Sequence, residues 1–128
     1  MGVFLLDTHT LLWARSDDPQ LSPRARQLLS EPASELLVSL ASLWEIAIKA
    51  SRGRIELGVP FEEFVRSAQQ KRVRFFPIEP SHTVRAAQLP FHHADPFDRM
   101  LIAQSLVSNL PVIGRDLAFD DYGVERIW

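Results

Sequence analysis

His92–Ser105 reads HHADPFDRMLIAQS and sets two histidines, two carboxylates and an arginine against the start of an apolar helix. Asp95 followed by Pro96 has the form of a helix N-cap and first helical residue, because the carboxylate accepts orphan amide hydrogen bonds and proline has no amide to leave unpaired. Asp98 then falls in the first turn, where the helix dipole alone favours an acid. Phe97, Leu101, Ile102, Ser105 and Leu106 recur at helical spacing and form a stripe that faces a core. That helix ends near Asn109, Pro111–Ile113 reads as a strand, and Gly114-Arg115-Asp116 turns off its end. A helix feeding a strand that closes on an acid is half of an alternating α/β unit.

The same grammar extends upstream. Val3–Leu6 is an apolar strand ending in Asp7, and Thr8–Arg15 follows as a helix with Leu11 and Leu12 on its apolar side. Ser22-Pro23 opens a second helix through Leu29. Leu36–Ser39 is the next strand, and Leu40–Arg52 is a helix carrying Leu43, Ile46, Ala47 and Ala50 along one side, stopped by Gly53, with Glu45 near its start. Pro60–Lys71 is predicted helical with Phe61, Phe64, Val65 and Ala68 on one face, and Val73–Ile78 is a strand bounded by Pro77 and Pro80. Ser81 caps a shorter helix to Leu89, and a last strand covers about Val124–Ile127. Strand and helix alternating through short connections point to a parallel sheet covered on both faces, whose ligands bind beyond the carboxyl ends of the strands.

Four acids gain meaning from that arrangement. Asp7 ends the first strand, Glu45 lies just past the second and Asp116 follows the fourth. Asp98 opens the helix entering the fourth strand; that helix runs antiparallel to the strand, so its N-terminus reaches the same edge. Carboxylates converging there raise one another's pKa unless a cation intervenes. The chain has no cysteine, so a metal must be held by carboxylate, histidine or carbonyl, and a carboxylate set suits magnesium or manganese. An ion so held polarises a phosphoryl oxygen and supplies an activated water, which makes phosphodiester hydrolysis the natural chemistry. The bland alternative is that these acids are ordinary strand-end and first-turn residues.

Composition bounds the rest. With 128 residues, 46% of them hydrophobic, the chain reads as a single domain over 1–128. It has no apolar run of the roughly twenty residues needed to span a bilayer and no leader pattern, so a soluble cytoplasmic protein is expected. A formal charge of −2 is not the footprint of a strongly basic nucleic-acid binder. Twelve of the 14 basic residues are arginine, which suits bidentate phosphate contacts. Arg52 and Arg54, and Lys71, Arg72 and Arg74, make two small basic clusters that read equally as solvated helix ends.

The blocks LLDTHTLLW at Leu5–Trp13, VSLASLWEIAIKASRGRIEL at Val38–Leu57, HHADPFDRMLIAQS at His92–Ser105 and IGRDLAFDDY at Ile113–Tyr122 resemble those of PIN-domain ribonucleases, in the VapC-type toxin branch. The resemblance covers essentially the whole chain. It implies a three-layer α/β/α fold with a five-stranded parallel sheet, magnesium- or manganese-dependent cleavage of RNA, a cognate VapB-type antitoxin, and a homodimer. The family's acids fall on Asp7, Glu45, Asp98 and Asp116 as catalytic and metal-holding residues. The sequence departs from the family at Gly114, where a threonine or serine often stands two residues before the last acid.

Other polar residues divide between roles. Asp95 is kept as a cap, and Asp120 and Asp121 as a solvated turn. Thr8 and Thr10 either cap the first helix or reach toward metal or phosphate. His92 and His93 precede the acids at a spacing that does not force ligation, and Arg99 is expected to pair with a carboxylate. Trp44, Phe61, Phe64 and Phe97 read as core or partner-contact surface rather than base-stacking platforms, and Leu12, Trp13, Leu43 and Trp44 as candidates for a groove. Three rival functions meet obstacles in these residues. A haloacid-dehalogenase-like phosphatase would need a second acid where His9 stands. A receiver domain would need an acid after the third strand, where Pro77-Ile78-Glu79-Pro80 lies. A non-catalytic binding module would leave the four acids in register without a task.

Overall fold

The computed structural model describes residues 2–128. Its elements run β1 (Gly2–Leu6), α1 (Thr8–Ser16), α2 (Pro23–Ser30), β2 (Ser34–Ser39), α3 (Leu40–Ser51), α4 (Phe61–Gln70), β3 (Val73–Phe76), α5 (Pro80–Gln88), α6 (Pro96–Ser108), β4 (Val112–Ile113), a 3-10 turn (Leu117–Tyr122) and β5 (Arg126–Ile127). The strands form one parallel five-stranded sheet in the order β3-β2-β1-β4-β5. The chain leaves β1 toward β2 on one side and returns to β4 on the other, so the crevice at the carboxyl end of β1 is the topological switch point.

Two apolar layers cover the sheet. Leu11, Ala25, Leu28, Ile46 and Phe64 pack on Phe4, Leu6, Leu36, Val38 and Ile113, while Leu101, Ile102, Ala103, Phe119 and Val124 pack on Leu5, Leu37 and Val112. Alternate residues of β1, β2 and β4 thus serve opposite layers, which is why these strands read as unbroken apolar runs. The expected three-layer α/β/α architecture is present.

The boundaries differ from the sequence reading for local reasons. β3 stops at Phe76 because Pro77 has no amide for the ladder. The cap of α5 is Glu79 rather than Ser81: Pro80 occupies the first helical position, and the Glu79 amide donates to His82 Nδ1 at 2.9 Å. Asp120 and Asp121, expected in a solvated turn, lie in a 3-10 segment over Leu117–Tyr122 started by Asp116, whose side chain accepts from the Ala118 amide. β5 is only Arg126–Ile127. Around α3 the buried residues are Ala41, Ser42, Glu45 and Ile46, so the helix turns a polar flank inward as well as the predicted stripe. No helix among the described residues is long and apolar enough to cross a membrane.

Candidate metal centre

The switch point gathers all four acids. Asp7 is the residue at which β1 passes into α1; its amide donates to the Ile113 carbonyl at 3.0 Å, which locks it beside the end of β4. It is buried at 5% exposure, and no basic side chain among the described residues pairs with it. Burial pushes its pKa from the ordinary 3.8 to about 6; the neighbouring carboxylates of Glu45 and Asp116 push the same way, and the backbone amides of Thr8 and His9 offset part of the shift.

Asp98 comes from the first turn of α6. Asp95 is the cap, with Oδ1 accepting from the amides of Phe97 at 2.9 Å and Asp98 at 3.0 Å, and this fixes the turn that carries Asp98. Burial also raises Asp98 to about 6, and Asp7 adds to the shift while the hydrogen bond from His93 opposes it. Asp116 enters from the end of β4. Its Oδ1 is committed to the Ala118 amide at 2.9 Å, which leaves Oδ2 facing the cleft.

Glu45 reaches the cleft from the second turn of α3 and is held differently. The Thr8 hydroxyl donates to its Oε1 at 2.9 Å and contacts the Ser42 hydroxyl at the same distance, and Lys49 Nζ lies 2.6 Å from Oε2. Glu45 in turn raises the Lys49 pKa. Thr8 is therefore an orienting partner of Glu45 rather than a helix cap, while the Thr10 hydroxyl donates to the Ile113 carbonyl at 2.8 Å and is structural. The Glu45–Lys49 pair stands at i,i+4 spacing and was readable from the sequence on that ground.

Two residues depart from expectation. Arg99 pairs with no carboxylate. Its buried guanidinium donates to the carbonyls of Pro90, His93, Ala86 and Leu89 at 2.9 to 3.3 Å and lies 4.1 Å from the centre of the Phe91 ring. It braces the α5–α6 loop from behind instead of facing the acids. His93, which the sequence spacing left outside the site, is inside it: Nε2 lies 2.8 Å from Asp98 Oδ2 and 3.6 Å from Asp116 Oδ2. Adjacency to the Asp-Pro-Phe-Asp turn was the only signal for it. His92 instead packs against Tyr122, with the ring centres 5.1 Å apart and the planes tilted by 59°.

Gly114 has a steric explanation. A Cβ there would stand 2.9 Å from Asp7 Cβ, so the close approach of the β4 end to Asp7 excludes a side chain. Asp120 is paired with Arg126 at 2.9 Å on the surface, which bears out its assignment to a solvated turn. Phe64 is core, whereas Trp44 is 64% exposed and meets Phe97 edge-on at 5.5 Å. Leu12, Trp13 and Leu43 pack partly buried against the core. Of the basic clusters, Arg72 donates to the carbonyls of Leu29, Glu31 and Pro32 and closes the end of α2.

The donor set fits a hard divalent cation. Asp7 and Asp98 are desolvated beside the more exposed Asp116, and His93, Asp98 and Asp116 bring one donor atom each within 4.8 Å of one another.

Comparison with known proteins agrees with this geometry. The family model described as PIN domain matches residues 4–125. Ribonuclease VapC22 of Mycobacterium tuberculosis is 32% identical over 117 residues, covering 91% of this chain and 88% of that protein. Among solved structures, VapBC2 from Rickettsia felis bound to a promoter DNA fragment superposes with a TM-score of 0.69 at 12% identity, covering 98% of this chain and 97% of that one. A toxin-antitoxin complex from Klebsiella pneumoniae gives 0.68 at 18% identity, covering 98% and 96%. With a family model spanning nearly its whole length and a curated relative at this identity, the chain belongs to the PIN-domain family, in its VapC ribonuclease branch.

Proposed function

We propose that Asp7, Glu45, Asp98 and Asp116 hold magnesium or manganese and that the whole chain, as one domain, is an endoribonuclease toxin that hydrolyses RNA phosphodiester bonds and is neutralised by a cognate VapB-type antitoxin. The observation that carries the reading is Asp7, a carboxylate 5% exposed at the switch point with no cationic partner among the described residues, which burial pushes to about 6 together with its neighbour Asp98. An acid that only capped a helix would accept from its first amides, as Asp95 Oδ1 does from Phe97 and Asp98. A bound ion supplies an activated water and stabilises charge developing on the phosphoryl oxygens.

The chain's own residues prepare that site. Thr8 and Lys49 fix both oxygens of Glu45, so its carboxylate has one orientation. Asp95 fixes the α6 turn beneath Asp98, and Gly114 lets the β4 end close onto Asp7. Arg99 and Tyr122 hold the loop that walls the cleft. The superposing structures are VapBC and toxin-antitoxin complexes, which supports an antitoxin partner here as well. A homodimer through an exposed helix face is part of the same reading; a single mass equal to one chain at every accessible concentration in light scattering would reject it.

Incubating structured RNAs with the purified protein tests the activity. Cleavage is expected with manganese or magnesium, absent with chelator, and reduced at least about a hundredfold by Asp98→Asn. Cleavage that survives chelator, or that Asp98→Asn leaves intact, would overturn the assignment.

A further inference from the structure

The four family acids do not account for the imidazole among them. Resting on the reading that these acids hold the ion, we propose that His93 is a further ligand through Nε2, and that its nitrogen makes the site select manganese over magnesium. His93 Nε2 lies 2.8 Å from Asp98 Oδ2 and 3.6 Å from Asp116 Oδ2. Neighbouring ligands on an octahedral ion bound at about 2.1 Å are about 3.0 Å apart, so these separations already bracket the edges of such a shell. Asp116 commits its other oxygen to the Ala118 amide and so leaves Oδ2 to the cleft, and ligation through Nε2 replaces the hydrogen bond between His93 Nε2 and Asp98 Oδ2.

The loop fixes the imidazole from behind. The His93 amide donates to Tyr122 Oη at 2.8 Å, and the His93 carbonyl accepts from Arg99 Nη1 at 3.3 Å. Tyr122 Oη in turn donates to the Pro90 carbonyl at 2.7 Å. A buried guanidinium without a carboxylate partner is an expensive way to hold a loop, and the residue it presents to the cleft is His93. Imidazole nitrogen suits transition metals, whereas magnesium prefers oxygen and keeps its waters, so adding one nitrogen to an oxygen set favours manganese. The rival role is a hydrogen bond that merely orients Asp98, which would leave the nitrogen outside the ion's shell.

Manganese bound to the full-length protein distinguishes these roles by pulsed electron paramagnetic resonance, which reads nitrogen directly bonded to the ion, alongside calorimetric titration of manganese and magnesium. Wild type is expected to show a directly bound nitrogen that disappears in His93→Gln. The same substitution is expected to weaken manganese about tenfold or more while changing magnesium less than about threefold. Melting temperatures with chelator check that the variant folds, and His93→Asn serves if it does not. No bound nitrogen in wild type, or an equal loss of both ions in the variant, overturns the proposal while leaving the acid site standing, provided Asp98→Asn still abolishes binding. Failure of wild type to bind either ion, or binding untouched by Asp98→Asn, would overturn the acid site and this inference with it.

Discussion

The two walls of the cleft hold their acids by opposite means. On the α3 wall, Glu45 meets Lys49 at 2.6 Å and Thr8 at 2.9 Å, so the protein supplies its own cation and hydroxyl donor. On the β1–α6 wall, Asp7 and Asp98 are raised to about 6 by burial, with only the His93 ring approaching Asp98 and Asp116. The contrast separates an acid whose charge the protein itself partly balances from acids whose charge is left to the ion. A protein tolerates the second kind only where something binds often enough to offset the strain.

The largest test of that contrast is the pH dependence of stability in the metal-free protein. A folded pKa near 6 above an ordinary 3.8 means that the native state holds the proton more tightly than the unfolded chain, so the Asp7 penalty is absent below pH 4, grows between pH 4 and 6, and is constant above. At about 1.4 kcal/mol per pKa unit, Asp7→Asn is expected to exceed wild type by about 3 kcal/mol above pH 6 and by almost nothing near pH 4. Urea unfolding with chelator across this range measures the difference, and a gain independent of pH would break the contrast.

On the other wall the sign reverses. Lys49→Met strips the partner from a Glu45 side chain that is 5% exposed and should cost about 2 kcal/mol at neutral pH, less than a fully buried pair because the Lys49 side chain is 35% exposed. Added manganese should then stabilise the variant more than it stabilises wild type, because the ion meets an extra unpaired charge. An unchanged manganese shift would place Glu45 outside the ion's field.

A smaller effect is expected from Gly114→Ser, which crowds Asp7 rather than removing it. The stability loss should be about 1 to 2 kcal/mol, within the range of overpacking, because the Asp7 Cβ it strikes is fixed by the backbone and moves only with it. Manganese affinity should fall about tenfold. Least of all, Asp120→Asn is expected to leave both RNA cleavage and the manganese shift unchanged, since its carboxylate pairs with Arg126 on the surface.

Much of this was legible in the residues. The strand-acid-helix run through Asp7, the Asp95-Pro96 cap and the Leu40 helix carry their own signals, and connectivity alone places the four acids at one edge. Arg99 was not legible because its partners are carbonyls of a loop whose path depends on how α5 and α6 pack, and no residue type announces a carbonyl acceptor. His93 fails for a related reason: its approach to Asp116 joins residues that only the β4 turn brings together. The Glu79 cap and the Glu45–Lys49 pair are different, since Pro80 at a first helical position and an i,i+4 spacing are both visible in the chain.

Thermal unfolding of wild type and Asp98→Asn, each with chelator and with manganese at neutral pH, tests the central claim most directly. If Asp98 is a ligand strained by burial in the absence of the ion, the variant should melt at least about 3 °C higher with chelator and gain much less from manganese. A variant that melts lower with chelator while keeping the full manganese gain would show Asp98 to be a first-turn acid stabilised by the helix dipole, and would remove it from the site.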